Sequence, residues 1–304
     1  MERCSRGATL TTRRVLSWPM LIMAATIPSR AVTIAAVAFY PLAVLLGWIV
    51  VVNANERSAA MGHAARLQMI GSKASYAGNT VLETITFGWY DAASRTAADY
   101  EGALAIAAAC GRRSTLAACG LALLVTAFCL LAHMAGLAGT AAAARRTARH
   151  LCLASLVLFV VGVSATALSL VASKDVPGIG TVVFNYESKS ILSTIADLLA
   201  SHDAVLGGLV LFFSVLVPLA KAGLVLFATT AYGAARDGAV RFVHTVGRWS
   251  MADVFVVAVL LAMLALGRDP ATRATAGPGL YAFAGSCLCS LWAAAWLPSG
   301  GWHR

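Results

Sequence analysis

The sequence predicts an all-α, polytopic membrane protein with six transmembrane helices. Of its 304 residues, 60% are hydrophobic and 12% are charged, and the mean hydropathy is +0.79, a composition far from that of soluble globular domains. The apolar residues form long uncharged runs. Seven cysteines are too sparse for a disulfide-stapled scaffold. The 23 Lys and Arg residues, against 13 Asp and Glu, lie mainly between the apolar runs, so we expect no nucleic-acid partner.

Six runs come close to the roughly 20 residues that cross a hydrocarbon core of about 30 Å. They are residues 31–52, 114–138, 151–173, 206–230, 250–267 and 280–298. Residues 15–27 are apolar but too short to cross the core. We expect them to form an interfacial helix within a basic cytoplasmic N-terminus, residues 1–30, with the core of a signal peptide as the alternative.

Lys and Arg residues outside the spans are concentrated on one side of the membrane. Twelve lie before the first span, after the last span and in the loops 139–150 and 231–249, against four in the loops 174–205 and 268–279. The long loop 53–113 holds six more, but charge in long loops contributes little to orientation. The positive-inside rule therefore predicts that both termini are cytoplasmic.

The spans divide into two groups. Residues 31–138 are predicted to form a two-helix unit, whose extracytoplasmic loop 53–113 contains Ala-rich helical stretches at 56–70 and 93–110. Residues 151–298 are predicted to form a four-helix module with shorter connections. The loop 53–113 is long for a connection between two spans, which favours a small extracytoplasmic domain.

A short amphipathic helix is predicted in the loop that follows the third span. Apolar side chains recur there at helical spacing, at Ile191, Leu192, Ile195, Leu198 and Leu199, and the opposite face is polar. Such a helix is expected on the outer membrane surface. Two roles are open: it packs onto the ends of the spans, or it forms a gate or a ledge that contacts lipid.

Two opposite charges within predicted spans are the strongest functional signal. Lys221 lies well inside the fourth span, where a lone charge costs at least about 2.5–3.5 kcal/mol, and Asp253 lies in the fifth. The cytoplasmic halves of these two spans are antiparallel neighbours in the chain, so Lys221 and Asp253 are expected to meet. The pair is either a structural ion pair or a titratable pair on a transport route.

Hydroxyl groups at helical spacing are predicted to surround this pair. Ser214 precedes Lys221 by two helical turns, and Ser250 precedes Asp253 by three residues; Ser290 in the last span is a further candidate. Hydroxyls both donate and accept, as a proton relay requires, but serine also packs between membrane helices. Pro218 removes a backbone donor and is expected to kink the span beside Lys221.

The sequence gives no pattern for a bound metal, a nucleotide or a hydrolase. Cys287 and Cys289 are two residues apart on a predicted helix and diverge by about 200°, so they do not form a zinc clamp. Neither a GxxxxGK[ST] loop nor a Ser/His/Asp hydrolase signature is present. We therefore expect a protein that is not an enzyme and needs no cofactor.

Three ordered segments of the C-terminal module resemble the paraquat-inducible protein A family of bacterial inner-membrane proteins. The resemblance lies in residues 188–226, 246–264 and 274–283. Its most specific parts are Ser190-Ile191-Leu192-Ser193, Pro218 with Lys221, Arg248-Trp249-Ser250-Met251 with Asp253, and Gly277-Pro278-Gly279 before Phe283. It covers about half of the chain.

This resemblance implies a role in handling membrane lipids. It implies modules of four transmembrane helices that work with extracytoplasmic tunnel proteins built of mammalian-cell-entry (MCE) domains, which move lipids between the inner and outer membranes. It also implies that the serines named above occupy the family's polar positions. The chain departs from the family pattern because it has one module and no four-cysteine zinc ribbon before it.

Two functions follow as hypotheses. In the first, the chain is an inner-membrane subunit that loads or receives lipid for an MCE-domain tunnel protein, coupled to protons through Lys221 and Asp253. In the second, it is a membrane scaffold that assembles such a complex without transporting lipid.

The predicted topology is testable by cysteine-accessibility labelling. Single cysteines placed in 53–113 and 174–205 are expected to react with a membrane-impermeant maleimide added from outside, because these loops are predicted to lie outside the cytoplasm. Cysteines in 231–249 are expected to react only after permeabilisation. External labelling of 231–249 would contradict the topology.

Overall fold

The computed structural model describes residues 29–70, 92–137, 140–176, 180–200, 204–231, 235, 238–243 and 272–297. Five of its helices are long and apolar enough to cross a membrane. They correspond to the predicted spans that begin at residues 31, 114, 151, 206 and 280. The predicted span 250–267 and the N-terminal segment 1–28 lie outside the described residues. Within the described part of the chain, the prediction of a helical, polytopic membrane protein is confirmed.

The first two spans belong to two unusually long helices, α1 (Ser29–Ile70) and α2 (Ala92–Gly136). The helical stretches expected at 56–70 and 93–110 are present, and they continue the spans without a break. With 42 and 45 residues, the helices are about 63 and 67 Å long, roughly twice a hydrocarbon core of about 30 Å. The described parts of 53–113 are therefore extensions of the two spans, and the division of the chain into domains stays a prediction.

Small and aromatic side chains hold α1 and α2 together. Ala43 of α1 is fully buried, and small residues such as this one let membrane helices approach closely. Phe39 of α1 stacks on Phe128 of α2, with ring centroids 4.0 Å apart. Tyr40 hydrogen-bonds His150 of the next helix over 2.9 Å, which joins the hairpin to the rest of the molecule.

The third span is shorter at its C-terminal end than the sequence predicted. Helix α3 covers Ala141–Ser164, and residues Thr166–Val176 form strand β1. The prediction that this span continues to residue 173 was therefore wrong. An apolar run without charges fits a buried helix and a paired strand equally well by composition, and here the backbone groups after Ser164 pair with neighbouring strands.

A three-stranded antiparallel sheet, which the sequence reading did not anticipate, stands at the end of the spans. Strand β1 lies between β2 (Gly180–Ser190) and β3 (Thr272–Ala276), in the order β2-β1-β3. The segment 181–186 is rich in β-branched and aromatic residues, a strand signal that was available in the sequence. Strand β3 is too short to be recognised without its partner.

The sheet also packs against the extension of α1. The ring of Tyr186 on β2 lies against Gly62, and the hydroxyls of Ser58 and Ser188 hydrogen-bond. The extended part of α1 and the sheet therefore lie on the same side of the spans. That is the arrangement expected if 53–113 and 174–205 share one side of the membrane.

The predicted amphipathic helix is present as α4, Ile191–Ala200. Its first turn is capped reciprocally: the Ser193 hydroxyl accepts from the Ser190 backbone N–H over 2.9 Å, and the Ser193 N–H donates to the Ser190 hydroxyl over 3.1 Å. Lys189 lies 2.8 Å from Glu187 and 3.0 Å from Asp197, which ties α4 to the end of β2. Hydrogen bonds from Lys189 to these carboxylates raise its pKa above the ordinary lysine value.

The fourth span consists of α5 (Ala204–Leu211), a π-helical turn (Phe212–Leu216) and α6 (Val217–Thr230). The last described span is α7, Pro278–Ala295. Helix α7 runs beside α3 so closely that a Cβ at Gly162 would lie 2.6 Å from the Phe283 backbone nitrogen. Near the start of α7, a Cβ at Gly279 would lie 2.4 Å from the carbonyl oxygen of Ala165. The two glycines set the approach of α3 and α7.

We expect Gly162→Ala to destabilise the protein by about 1–3 kcal/mol, because the added methyl group has no space against the α7 backbone. Thermal unfolding of the purified protein in detergent measures the effect. Gly223→Ala is the matched control, because a Cβ on that residue of α6 meets nothing within 4 Å. Equal losses for the two variants would contradict the close approach of α3 and α7.

Candidate functional site

The candidate site is built around an irregular turn in the fourth span. The backbone N–H of Val217 donates to the carbonyl of Phe212, five residues earlier, in the π-helical turn. Pro218 is the next residue and has no N–H to donate. The proline expected to disturb this span is therefore accompanied by a π turn, a feature that occurs often at functional sites in helices.

Ser214 and Lys221 both face the protein interior. Ser214, inside the π turn, is 4% exposed, and Lys221, one turn after Pro218, is 3% exposed. An ammonium group that is removed from water in a membrane span is costly and needs polar or charged surroundings. The burial of Lys221 agrees with the cost of a lone charge in a span, and the role of Lys221 and Ser214 in proton transfer stays a prediction.

Helix α3 contributes a polar group that the sequence reading missed. The thiol of Cys152 donates to the carbonyl of Ala222 over 3.4 Å, and Ala222 directly follows Lys221 in α6. Ser155, one turn further along α3, is also buried. The signal available in the sequence was the three-residue spacing of Cys152 and Ser155 in an apolar span.

The remaining members of the predicted network are distributed differently. Asp253 and Ser250 lie outside the described residues. Ser290 on α7 is half-buried, whereas Ser286, one turn before it, is 4% exposed and donates to the carbonyl of Phe283 over 2.7 Å. Sequence reasoning singled out Ser290 and not Ser286, because apolar runs do not reveal which face of a helix packs inward.

The apolar face of α4 is directed mainly at the ends of the spans. Ile191 and Ile195 are buried in a cluster with Phe159 of α3 and Phe283 of α7. Leu198 lies against Gly207 of α5, where a Cβ would be 3.0 Å from the leucine Cβ. Leu192, in contrast, is 44% exposed. This packing agrees with the first of the two roles considered for α4, and Leu192 and Leu199 are its exposed leucines.

Comparison with known proteins points in one direction. The paraquat-inducible protein A family model matches residues 146–304. The chain is 31% identical over 121 residues to "Lipophilic envelope-spanning tunnel protein A" of Escherichia coli strain K12, across 37% of this chain and 27% of that relative. It is 26% identical over 109 residues to a "Probable intermembrane transport protein" of Haemophilus influenzae, across 34% of this chain and 26% of the relative. The matches thus span about a quarter of the length of these relatives. No solved structure matches the chain.

Proposed function

Because the chain belongs to the paraquat-inducible protein A family, we propose that it is an inner-membrane subunit of a lipid transport system. Its partner in this proposal is an extracytoplasmic tunnel protein of MCE domains, and its substrate is membrane lipid. The names of its relatives, an envelope-spanning tunnel protein and an intermembrane transport protein, support a membrane role in envelope transport. The apolar helices support a multi-pass membrane protein.

The observation that carries this proposal is the burial of Lys221 beside an irregular helical turn. A static anchor gains nothing from a buried cation, whose cost in a span is at least about 2.5–3.5 kcal/mol. A π turn and a proline also weaken the helix within nine residues of that cation. A span that contains both a buried cation and a weakened helical segment is expected where a helix changes shape during function.

Proton coupling is the finer part of the proposal. In a low-dielectric interior, Lys221 and Asp253 each stabilise the charged form of the other, whereas desolvation favours both in their neutral forms. One proton moving between them therefore converts an ion pair into a neutral pair. Ser214, Ser250 and Ser290 are proposed to conduct that proton. The buried thiol of Cys152 joins this list of candidates, because it lies against the segment that carries Lys221.

The orientation follows from the charges. We place both termini in the cytoplasm and the sheet, α4 and the extensions of α1 and α2 outside it. These parts lie on one side of the spans through the contact of Gly62 with Tyr186. A tunnel partner outside the cytoplasm would then contact the sheet, α4 and the extensions of α1 and α2.

A scaffold that assembles the complex without moving lipid is the second candidate. It is favoured by the length of α1 and α2, which extend about 30 Å beyond a hydrocarbon core and offer a rigid surface to a partner. The transport function and the scaffold are distinguished by measuring lipid transport with neutral residues in place of Lys221 and Asp253.

We expect the double variant Lys221→Met, Asp253→Leu to reach wild-type abundance in the membrane but to have lost lipid transport. The neutral side chains remove the desolvation cost of two buried charges, so the fold stays stable. No proton can move between the two positions. Abundance is measured by immunoblot of membranes, and transport by the flux of labelled phospholipid between inner and outer membranes.

The serines provide a matched comparison. Ser214→Ala is expected to lower the flux, whereas Ser286→Ala, which removes a hydroxyl that only bonds its own helix, is expected to leave the flux unchanged. Full transport by the neutral double variant would reject proton coupling and favour the scaffold.

A further inference from the structure

A long groove runs between α2 and α7, away from Lys221. It has a volume of about 740 Å³, within the range of sites that hold small molecules. Its floor is formed by Leu158 and Val161 of α3 and by Val50 of α1, and its two walls by α2 and α7. One wall therefore comes from the family module and the other from the two-helix unit.

The walls of the groove are almost entirely apolar. Arg57 is the one charged residue among those that line it, and Ser114 and Thr115 lie at the same end, since Gly111 one turn earlier on α2 faces Arg57. At the other end are Cys129 of α2 and Cys289 of α7, together with Trp292. The groove thus carries its charged residue at one end and is mainly apolar over the rest of its length.

Gly111 of α2 leaves room for the side chain of Arg57. A Cβ at Gly111 would lie 3.2 Å from both Cδ and Nε of Arg57, so the arginine side chain lies flat against α2. Among the described residues, the salt bridges are made by Lys189 and not by Arg57. The guanidinium is exposed at the groove and available to an anion.

A second positive feature lies at the same height. Thr166 contacts Asn55, two residues before Arg57, over 3.2 Å, and the Gly277 backbone N–H donates to the carbonyl of neighbouring Ala167 over 2.9 Å. Gly277 is the N-cap of α7. Ala276 and Pro278, at the N-terminus of α7, line the groove together with Arg57, so the positive end of the α7 dipole lies at that end of the groove.

The dimensions of the groove fit a lipid. Ser114 and Cys129 are fifteen residues apart on α2, a distance of about 22 Å along the helix. Half of a bilayer, including its headgroup layer, is about 20–22 Å thick. The rim residues Ala122 and Thr126 on α2 and Tyr281 and Leu288 on α7 are exposed, so the groove opens sideways, as entry from a bilayer requires.

We propose that this groove binds one glycerophospholipid, with its phosphate at Arg57 and the N-terminus of α7 and an acyl chain extended between α2 and α7 toward Trp292. Arginine pairs with phosphate through charge-assisted, bidentate hydrogen bonds, which a neutral headgroup does not form. The site is separate from Lys221, so lipid binding and proton-coupled transport can fail independently.

The test uses the full chain reconstituted in phosphatidylcholine vesicles that contain a small fraction of one photoactivatable lipid with a diazirine on its acyl chain. The three probes are phosphatidylglycerol, diacylglycerol without a phosphate, and a free fatty acid. Cross-linked peptides are identified by mass spectrometry. Phosphatidylglycerol is expected to label peptides from 114–129 and 278–292 in preference to other exposed helix faces.

Two pairs of variants locate the chain and the headgroup. Ala122→Phe fills the groove and is expected to remove most of this labelling, whereas Ala127→Phe, at an exposed position of α2 that does not line the groove, is not. Arg57→Gln is expected to reduce phosphatidylglycerol labelling by about three- to tenfold and to leave diacylglycerol labelling unchanged. Arg66→Gln, two to three turns further along α1, is the matched control and is expected to have no effect.

Each outcome decides for or against the site. Labelling spread evenly over exposed helix faces would identify ordinary surrounding lipid and overturn the proposal, as would equal effects of Ala122→Phe and Ala127→Phe. Labelling by the fatty acid alone would show that the groove binds a carboxylate, and would overturn the proposed phospholipid. Should Ala122→Phe lose its thermal unfolding transition, Thr126→Phe fills the same groove from another exposed position. Groove labelling without lipid flux would preserve this site and count against the transport function.

Discussion

The close packing of α3 against α7 is the contact on which the other parts of the structure depend. Helix α3 is the most buried of the five described spans, and it contacts α1, α2, α6 and α7. At Gly162 its backbone comes so near to Phe283 that no side chain fits between the helices. This approach fixes the point at which β1 leaves α3, and with it the position of the sheet and of α4. It also holds the floor of the groove against α7.

The fourth span is where the structure departs from regular helix geometry. In hydrocarbon every backbone donor and acceptor needs a partner within the protein, and the span nevertheless contains Pro218 and a π turn next to the buried Lys221. Each of these features lowers the stability of a membrane helix. Their coincidence agrees with the expectation that proteins break local rules at functional sites and are stabilised elsewhere, here by the packing of α3.

The two-helix unit is more than an anchor for the family module. It lies outside the region matched by the family, yet it packs on α3 through Tyr40 and His150 and supplies one wall of the groove with Arg57 at its end. The groove therefore lies at the seam between the two parts of the chain.

The sequence by itself determined five helical spans and the amphipathic helix α4, and it required an inward position for Lys221. These are local properties: the thickness of the bilayer sets the length of an apolar run, helical periodicity places Ile191 and Ile195 on one face, and a charge in hydrocarbon must turn inward. Only the tertiary structure decided four features: the end of α3 at Ser164, the pairing of β1 with β3, the contact of Cys152 with Ala222, and the groove. Strand pairing and contacts between helices join residues about 70 to 110 positions apart. The energy that selects among such pairings comes from packing, which an apolar run of uniform composition does not encode.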